Sequence, residues 1–334
     1  MISEKFKQSK DSINQENVIL EKEISLCPVC QEAQFLKFAE GYDYELQTCS
    51  NKWVLVKCCR CGHCWLNPRP AISEIYKIYP ENYYAYSYSS KVNAVAKKAK
   101  QVLDAKKLQK IFKQRSKKTN SFLDIGCGEG RFLDAVQKYG LDKKNIYGIE
   151  LDTKVVKELK SKGYQIFQGR VEDCNQIPES YFDLITMFHV IEHVDDPDLL
   201  IKKIYRWLSP GGTLVIETPN INSWDAKLFR NTFWGGYHFP RHWNIFSQES
   251  LTQLLLKNKL LPKICIYLTG HSFWMYSFHH LIAFGPFPNK KIAKLFDPLK
   301  GSLFVLAAVT LLDLIRSFLG FRTSSLLVVC FKKP

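Results

Sequence analysis

The stretch SFLDIGCGEGRFLDAV, residues 121–136, constrains the fold more than any other part of the chain. A short apolar run leads to Asp124, then Gly126, Gly128 and Gly130, then apolar residues at helical spacing. Glycines at alternate positions let the backbone turn sharply and bring its amides close to a ligand at a helix N-terminus. The loop alone is a weak signal, since dinucleotide-binding folds use a similar one. Its surroundings narrow it. A second strand, NIYGIE, ends at Glu150, about twenty residues beyond the loop, where an acidic side chain can accept both hydroxyls of a ribose. A third, YQIFQG, is followed by Val171, Glu172 and Asp173, and a fourth, FDLITMF, ends at Phe188. A fifth, GGTLVIETPN, follows a helix and a Pro-Gly-Gly turn. Strands alternating with helices predict an α/β fold with a doubly wound, Rossmann-like sheet.

Upstream, residues 27–30 read CPVC and residues 58–64 read CCRCGHC. Two C-x-x-C pairs a few tens of residues apart match a structural zinc site, in which each turn supplies two thiolates to a tetrahedral ion. The first pair is Cys27 and Cys30. The second is Cys58 with Cys61 or Cys61 with Cys64, and Cys58 with Cys61 is preferred because Gly62 then follows the last ligand and helps the chain turn back. Cys49, Cys59, His63 and Cys64 are the alternates. A zinc ribbon does not imply nucleic-acid binding, because its simplest role is to hold together a subdomain too small for a sufficient core.

LDIGCGEG with its aspartate, the GIE strand end, the FDLITMFHVIEHVDDP block and SPGGTLVIETPN resemble class I S-adenosylmethionine-dependent methyltransferases over about residues 120–220. The resemblance implies a seven-stranded sheet and a role for each matching residue. Gly126, Gly128 and Gly130 would pass the methionine end of the cofactor, Glu150 would hold the ribose, and Glu172 or Asp173 would lie near the adenine. Asp124 would support the loop and the amino group, and Phe188 would join the cofactor residues. More narrowly, the CPVC and CxxCG ribbon, LNPRP, PENYYAYSY, TPNINSW and PRHWNIFSQESL resemble a bacterial group of zinc-ribbon methyltransferases whose genes often sit among those for polysaccharides and glycolipids.

Residues 187–197, MFHVIEHVDDP, contain H-x-x-E-H, a metalloprotease zinc pattern. A protease has no use for the adjacent glycine loop and ribose carboxylate. At the carboxyl end of the fourth strand, His189 and Glu192 are expected to line the cofactor and acceptor pocket, with His193 packing the turn. The alternative is a divalent metal on His189, Glu192 and His193. The block is similar to the E-x-x-E-H of ubiquinone-type O-methyltransferases, with His189 in place of the first glutamate, and that departure leads us to expect no catalytic metal. The adenine amino-methyltransferase pattern Asn/Asp-Pro-Pro-Tyr does not follow the fourth strand. Bases for an oxygen or carbon acceptor cluster instead in WGGYHFPRHWNIF, residues 234–246. His238 or His242 is the expected base, His189 comes third, and Arg241 suits a phosphate or carboxylate.

The expected organisation is a polar flexible tail at 1–25, a ribbon at 26–70, and a tyrosine-rich segment with a basic amphipathic helix at 71–119. The methyltransferase domain would occupy 120–334, with a substrate loop at 220–247 and an apolar lid at 264–320. In 91–118, eleven Lys or Arg against one Asp form one face of a helix whose apolar stripe includes Val92, Val95, Ala99, Val102, Leu103, Leu108, Ile111 and Phe112. That segment supplies most of the formal charge of +15, a balance that favours anionic partners. The amino-terminal residues lack an apolar h-region. With eleven cysteines, this predicts a reduced, cytoplasmic protein.

The apolar lid could instead touch the inner face of a membrane, giving peripheral localisation, although neither apolar segment reads as a clean spanning helix. The leading function is transfer of a methyl group from S-adenosylmethionine to oxygen or carbon of a small-molecule acceptor, such as a sugar or lipid-linked intermediate of cell-surface polysaccharide synthesis. Nucleic acid is disfavoured as a partner. An RNA methyltransferase using the ribbon and basic helix, and a non-catalytic cofactor-binding protein, are the alternatives.

Overall fold

The computed structural model describes residues 18–80, 102, 104, 107–109, 111–112, 119–298 and 300–334. Most of the expected polar tail, the PENYYAYSY stretch and most of the basic segment lie outside the described residues. The strands in chain order are β1 (Glu21–Lys22), β2 (Phe35–Gly41), β3 (Trp53–Cys58), β4 (Cys64–Leu66), β5 (Arg69–Pro70), β6 (Phe122–Ile125), β7 (Ile146–Glu150), β8 (Gln165–Gln168), β9 (Phe182–Phe188), β10 (Leu208–Pro219), β11 (Asn244–Ile245), β12 (Leu260–Leu268) and β13 (Ser325–Lys332).

Seven of these form the large sheet, in the order β12-β13-β10-β9-β6-β7-β8. β10, β9, β6, β7 and β8 run parallel, and β13 is antiparallel to both β10 and β12. Every residue of FLDI and the first six of FDLITMF are buried, as expected of strands covered on both faces. The crossover helices follow from spacing and caps. Thr153–Ser161 starts where the Asp152 carboxylate accepts from the Val155 amide, and it turns Val155, Val156 and Leu159 into the core. Pro197–Trp207 is capped by Asp196, has proline in its first turn, and buries Leu200, Ile201, Ile204 and Trp207. Each such side chain removed from water contributes roughly 1.5–3 kcal/mol.

The ribbon is less separate than its sequence boundary at residue 70 implies. Its four-stranded sheet has the order β11-β4-β3-β2, and β11 is supplied by the chain between β10 and β12 of the large sheet. Asn244 pairs with Trp65, and Ile245 with Cys64. Cys27, Val29, Val56 and Trp65 share one core with Leu123, Met187 and Leu251. Trp53, Leu55 and Leu66 share another with Trp234, Tyr237 and Trp274. The ribbon therefore braces residues 234–246 from beneath.

Candidate active site

The glycine loop leaves the carboxyl end of β6. The amides of Gly126 and Cys127 both donate to the Ile149 carbonyl, at 2.9 and 3.0 Å, and fold the loop onto β7. All three glycines have positive φ, +70°, +50° and +80°, but their surroundings differ. A Cβ on Gly126 would lie 2.5 Å from Val190 Cγ2, and one on Gly130 would lie 2.5 Å from Leu159 Cδ2. A Cβ on Gly128 would meet nothing within 4 Å. Beside that open space the Gly128 amide donates to Glu150 Oε2 at 2.8 Å, and Glu150 Oε1 accepts from the amides of Leu151 and Asp152 at 2.7 and 3.0 Å. Three amides thus fix the carboxylate that closes β7.

Asp124 is 2% exposed and accepts from the hydroxyl of Thr186, its register partner on β9, at 2.6 Å. Burial pushes its carboxyl up to about 7, against the opposing pull of the Thr186 hydrogen bond. Phe188 packs on Phe132 with ring centroids 4.3 Å apart, and Lys107 Nζ lies 4.9 Å from the Phe188 ring. The Glu172 carboxylate accepts from Arg170 at 2.5 Å and from the Asp195 amide at 3.0 Å, while Asp173 is exposed. Of the two, Glu172 braces the chain after β9 and Asp173 faces outward.

The H-x-x-E-H stretch follows β9. His189 adopts φ +55°, and its two ring nitrogens face two carboxylates, Glu192 at 3.2 Å and Glu217 at 3.4 Å. Desolvation opposes its charged form, but the hydrogen bonds to both carboxylates outweigh that and raise the imidazole to about 9. His189 therefore holds its proton at neutral pH. His193 Nδ1 lies 3.0 Å from the Arg241 carbonyl and 2.9 Å from the Tyr79 hydroxyl. His242 Nδ1 lies 2.8 Å from the Gly236 carbonyl. A carbonyl can only accept, so both rings carry hydrogen on Nδ1 and offer Nε2 as a lone pair. Burial lowers His193 to about 4 and His242 well below its ordinary value, which keeps both neutral. One ligand-capable atom from each of Glu192, His193 and His242 lies within 4.8 Å of the others. The converging group thus takes His242 from another loop, while His189 sits between Glu192 and Glu217. Glu192 does not line an open pocket. It is fully buried and accepts from Thr218 at 3.0 Å.

Residues 234–246 bring the remaining histidine. His238, in the left-handed region at φ +40°, sits with Nδ1 2.7 Å from Glu45 Oε1, and the two side chains are 4% and 5% exposed. Its ring centroid is 5.0 Å from that of His242. Glu45 belongs to the turn between β2 and β3, and nothing in its spacing marks it in the sequence. Two residues earlier, Asp43 receives both terminal nitrogens of Arg241 at 2.9 Å, with both side chains fully buried. Burial would raise the Asp43 carboxyl, and the Arg241 guanidinium outweighs it and holds it at about 2. Arg241 was expected to suit a phosphate or carboxylate, and the carboxylate it meets is that of Asp43, inside the protein. The side chain is spent on Asp43 and on the Ile78 carbonyl at 2.7 Å. Helix His271–Phe284 closes over this loop, with the Ser277 hydroxyl accepting from the Gly235 amide at 2.8 Å and the Phe273 ring 6.2 Å from that of His189.

Across the ribbon, the sulfurs of Cys27, Cys30, Cys58 and Cys61 all lie within 4.8 Å of one another. The Cys27–Cys61 and Cys30–Cys58 pairs are 3.5 Å apart. Tetrahedral zinc with bonds of about 2.3 Å separates its sulfurs by roughly 3.8 Å, so the donor set fits. The alternates lie elsewhere. Cys49 and Cys64 are buried in the second core, Cys59 is exposed, and His63 faces Asn244 at 3.3 Å.

The family of methyltransferase domains matches residues 95–260, a span that contains the glycine loop, Glu150 and the histidine cluster. The chain carries a class I S-adenosylmethionine-dependent methyltransferase domain. This domain is similar to the ubiquinone biosynthesis O-methyltransferase of Psychrobacter arcticus, 32% identical over 111 residues, covering 30% of this chain and 41% of the relative. It is also similar to that of Bradyrhizobium diazoefficiens, 29% identical over 148 residues, covering 42% and 57%. The chain thus spans about half the length of the curated relatives it matches. A methyltransferase structure from Archaeoglobus fulgidus is 20% identical and covers 70% of this chain and 94% of its own, with a TM-score of 0.45. In this methyltransferase domain, Glu45, Asp43 and Tyr79 are contributed from outside the matched span.

Proposed function

We propose that the protein transfers the methyl group of S-adenosylmethionine to an oxygen or carbon of a small-molecule acceptor, a sugar or a lipid-linked sugar intermediate. The observation that carries this reading is the convergence, at the carboxyl end of β9, of the glycine loop with a buried histidine cluster. Gly126 packs on Val190, the neighbour of His189, and His193 follows three residues on.

Gly128 and the Glu150 carboxylate would hold the methionine end and the ribose, and Asp124 would face the amino group as a carboxylate. When bound, S-adenosylmethionine supplies an electrophilic methyl on a sulfonium sulfur. His238, oriented through Nδ1 by Glu45, would take the acceptor proton, and His242 beside it would fix the approach. His189, already protonated, suits steadying negative charge that develops on an acceptor oxygen. Helix His271–Phe284 would exclude water. Residues 120–334 would form the transfer domain, and 26–70 a ribbon whose four thiolates, on Cys27, Cys30, Cys58 and Cys61, hold a structural zinc.

The test is incubation of the protein with methyl-labelled cofactor and fractions of a bacterial extract. Label in the polar or lipid fraction supports the reading. Label in RNA overturns it, and cofactor binding without label in any fraction points to a binding protein.

A further inference from the structure

Helix Leu303–Phe318 is amphipathic in reverse. Its inner side carries the polar groups. Asp313 is fully buried and accepts from the Gly270 amide at 2.8 Å and from the Trp274 indole at 3.0 Å. Arg316 pairs with Asp313 at 3.1 Å, and Ser317 donates to the Tyr267 carbonyl at 2.9 Å. The outer side carries Phe304, Leu311, Leu312, Leu314, Ile315 and Phe318, all exposed, with Phe304 at 89% and Phe318 at 90%. At about 3.6 residues per turn these positions cover roughly half the circumference. Water-facing helices are patterned the other way, and a continuous exposed apolar face marks a contact.

The preceding segment extends the surface and adds charge. Phe287 is 91% exposed and Leu295 is 50% exposed. Lys290, Lys291, Lys294 and Lys300 are all exposed, against a single acidic residue, Asp297. The Ser302 amide donates to the Leu295 carbonyl at 2.9 Å, tying this basic segment to the start of the helix.

We propose that this surface seats on an anionic membrane. Its phenylalanines and leucines enter the interfacial layer, and its lysines meet headgroup phosphates. No helix among the described residues is long and apolar enough to cross a membrane, so the contact is interfacial. A second copy of the chain fits this face less well, since symmetric pairing brings two sets of the same lysines to one rim. The inference goes beyond the methyl-transfer reading, and none of the residues substituted in its test has a role there.

The test is flotation of the full chain with vesicles of equal parts phosphatidylglycerol and phosphatidylcholine, and with phosphatidylcholine alone. The chain is expected to float with the first and to float weakly with the second at physiological salt. The double variant Phe304→Glu/Phe318→Glu alters only solvated side chains, so its melting temperature stays unchanged while its vesicle affinity falls roughly tenfold or more. Lys290→Glu/Lys291→Glu/Lys294→Glu removes the preference for the anionic lipid. Wild type that floats with neither vesicle, or a double phenylalanine variant that floats like wild type, overturns the proposal. So does a dimer in solution that the same phenylalanine substitutions dissociate while flotation is absent.

Discussion

Replacing Gly126 and Gly128 singly by alanine separates two uses of glycine within one loop. Both residues have positive φ, +70° and +50°, and the left-handed region costs an L-residue about 1–2 kcal/mol. Alanine stiffens the unfolded chain and gives back about 0.4–1 kcal/mol. At Gly128 nothing else enters, because the new methyl meets no atom within 4 Å. That variant should unfold within about 1.6 kcal/mol of wild type. At Gly126 the methyl would sit 2.5 Å from Val190 Cγ2. A β-branched neighbour has few rotamers with which to yield, and overpacking adds about 1–3 kcal/mol. Ligand binding should rank the pair differently. If the open side of Gly128 is the cofactor's path, a methyl there lowers affinity for S-adenosylhomocysteine at least about tenfold, or about 1.4 kcal/mol, in a protein that is otherwise sound. Urea unfolding and titration calorimetry on both variants measure the two effects. A Gly128→Ala protein that binds like wild type would refute the placement of the cofactor. Equal stabilities for the two variants would refute the packing argument.

The Asp124 carboxyl, held at about 7 by burial, is charged only above that pH. Affinity for the cationic cofactor should therefore fall as pH drops through 7, and Asp124→Asn should flatten the dependence in calorimetry. Stability without cofactor has the opposite sign. The folded value exceeds the unfolded one of about 3.9, so this contribution is full below about pH 4 and is lost as pH rises through 7. Glu45→Gln should lower kcat roughly tenfold or more while leaving S-adenosylhomocysteine affinity unchanged, and an unaltered kcat would remove Glu45 from the mechanism. Asp43→Asn leaves the Arg241 charge buried and unpaired, and should cost about 3–5 kcal/mol in urea unfolding. Elemental analysis should find about one zinc per chain in wild type and loss of it in Cys27→Ser.

The parts of the molecule legible in its sequence are those specified over short distances. The glycine loop, the strand ending at Glu150 and the two C-x-x-C turns each fall within a few residues, and backbone conformation or metal geometry dictates their residue types. The large sheet followed from the alternation of apolar strands with capped helices. The acceptor side was legible only as a crowd of histidines. Its organisation depends on pairs that no local pattern joins: Asp43 with Arg241, Glu45 with His238, and Trp65 with Asn244. Arg241 illustrates the difficulty, since an arginine among histidines reads as an anion site until its buried carboxylate partner is known. The arrangement around the H-x-x-E-H stretch was hidden for a similar reason. His189 follows β9 in a left-handed conformation that sets its ring between Glu192 and Glu217, and His242 arrives from another loop.

The strand borrowed by the ribbon sets an order on the synthesis of the molecule. While residues 26–70 emerge, the outer edge of β4 has no neighbour, and Asp43 and Glu45 lack their side-chain partners Arg241 and His238. All three deficits are met by the single stretch His238–Ile245, which is translated well over a hundred residues later. Two acidic groups and an open sheet edge must be carried in water until then. The ribbon thus acts as a half-finished socket, and the histidine loop closes only when it plugs in. A library of fragments cut between residues 70 and 120 should accordingly yield neither half in working order, whereas co-expression of the two pieces should restore both.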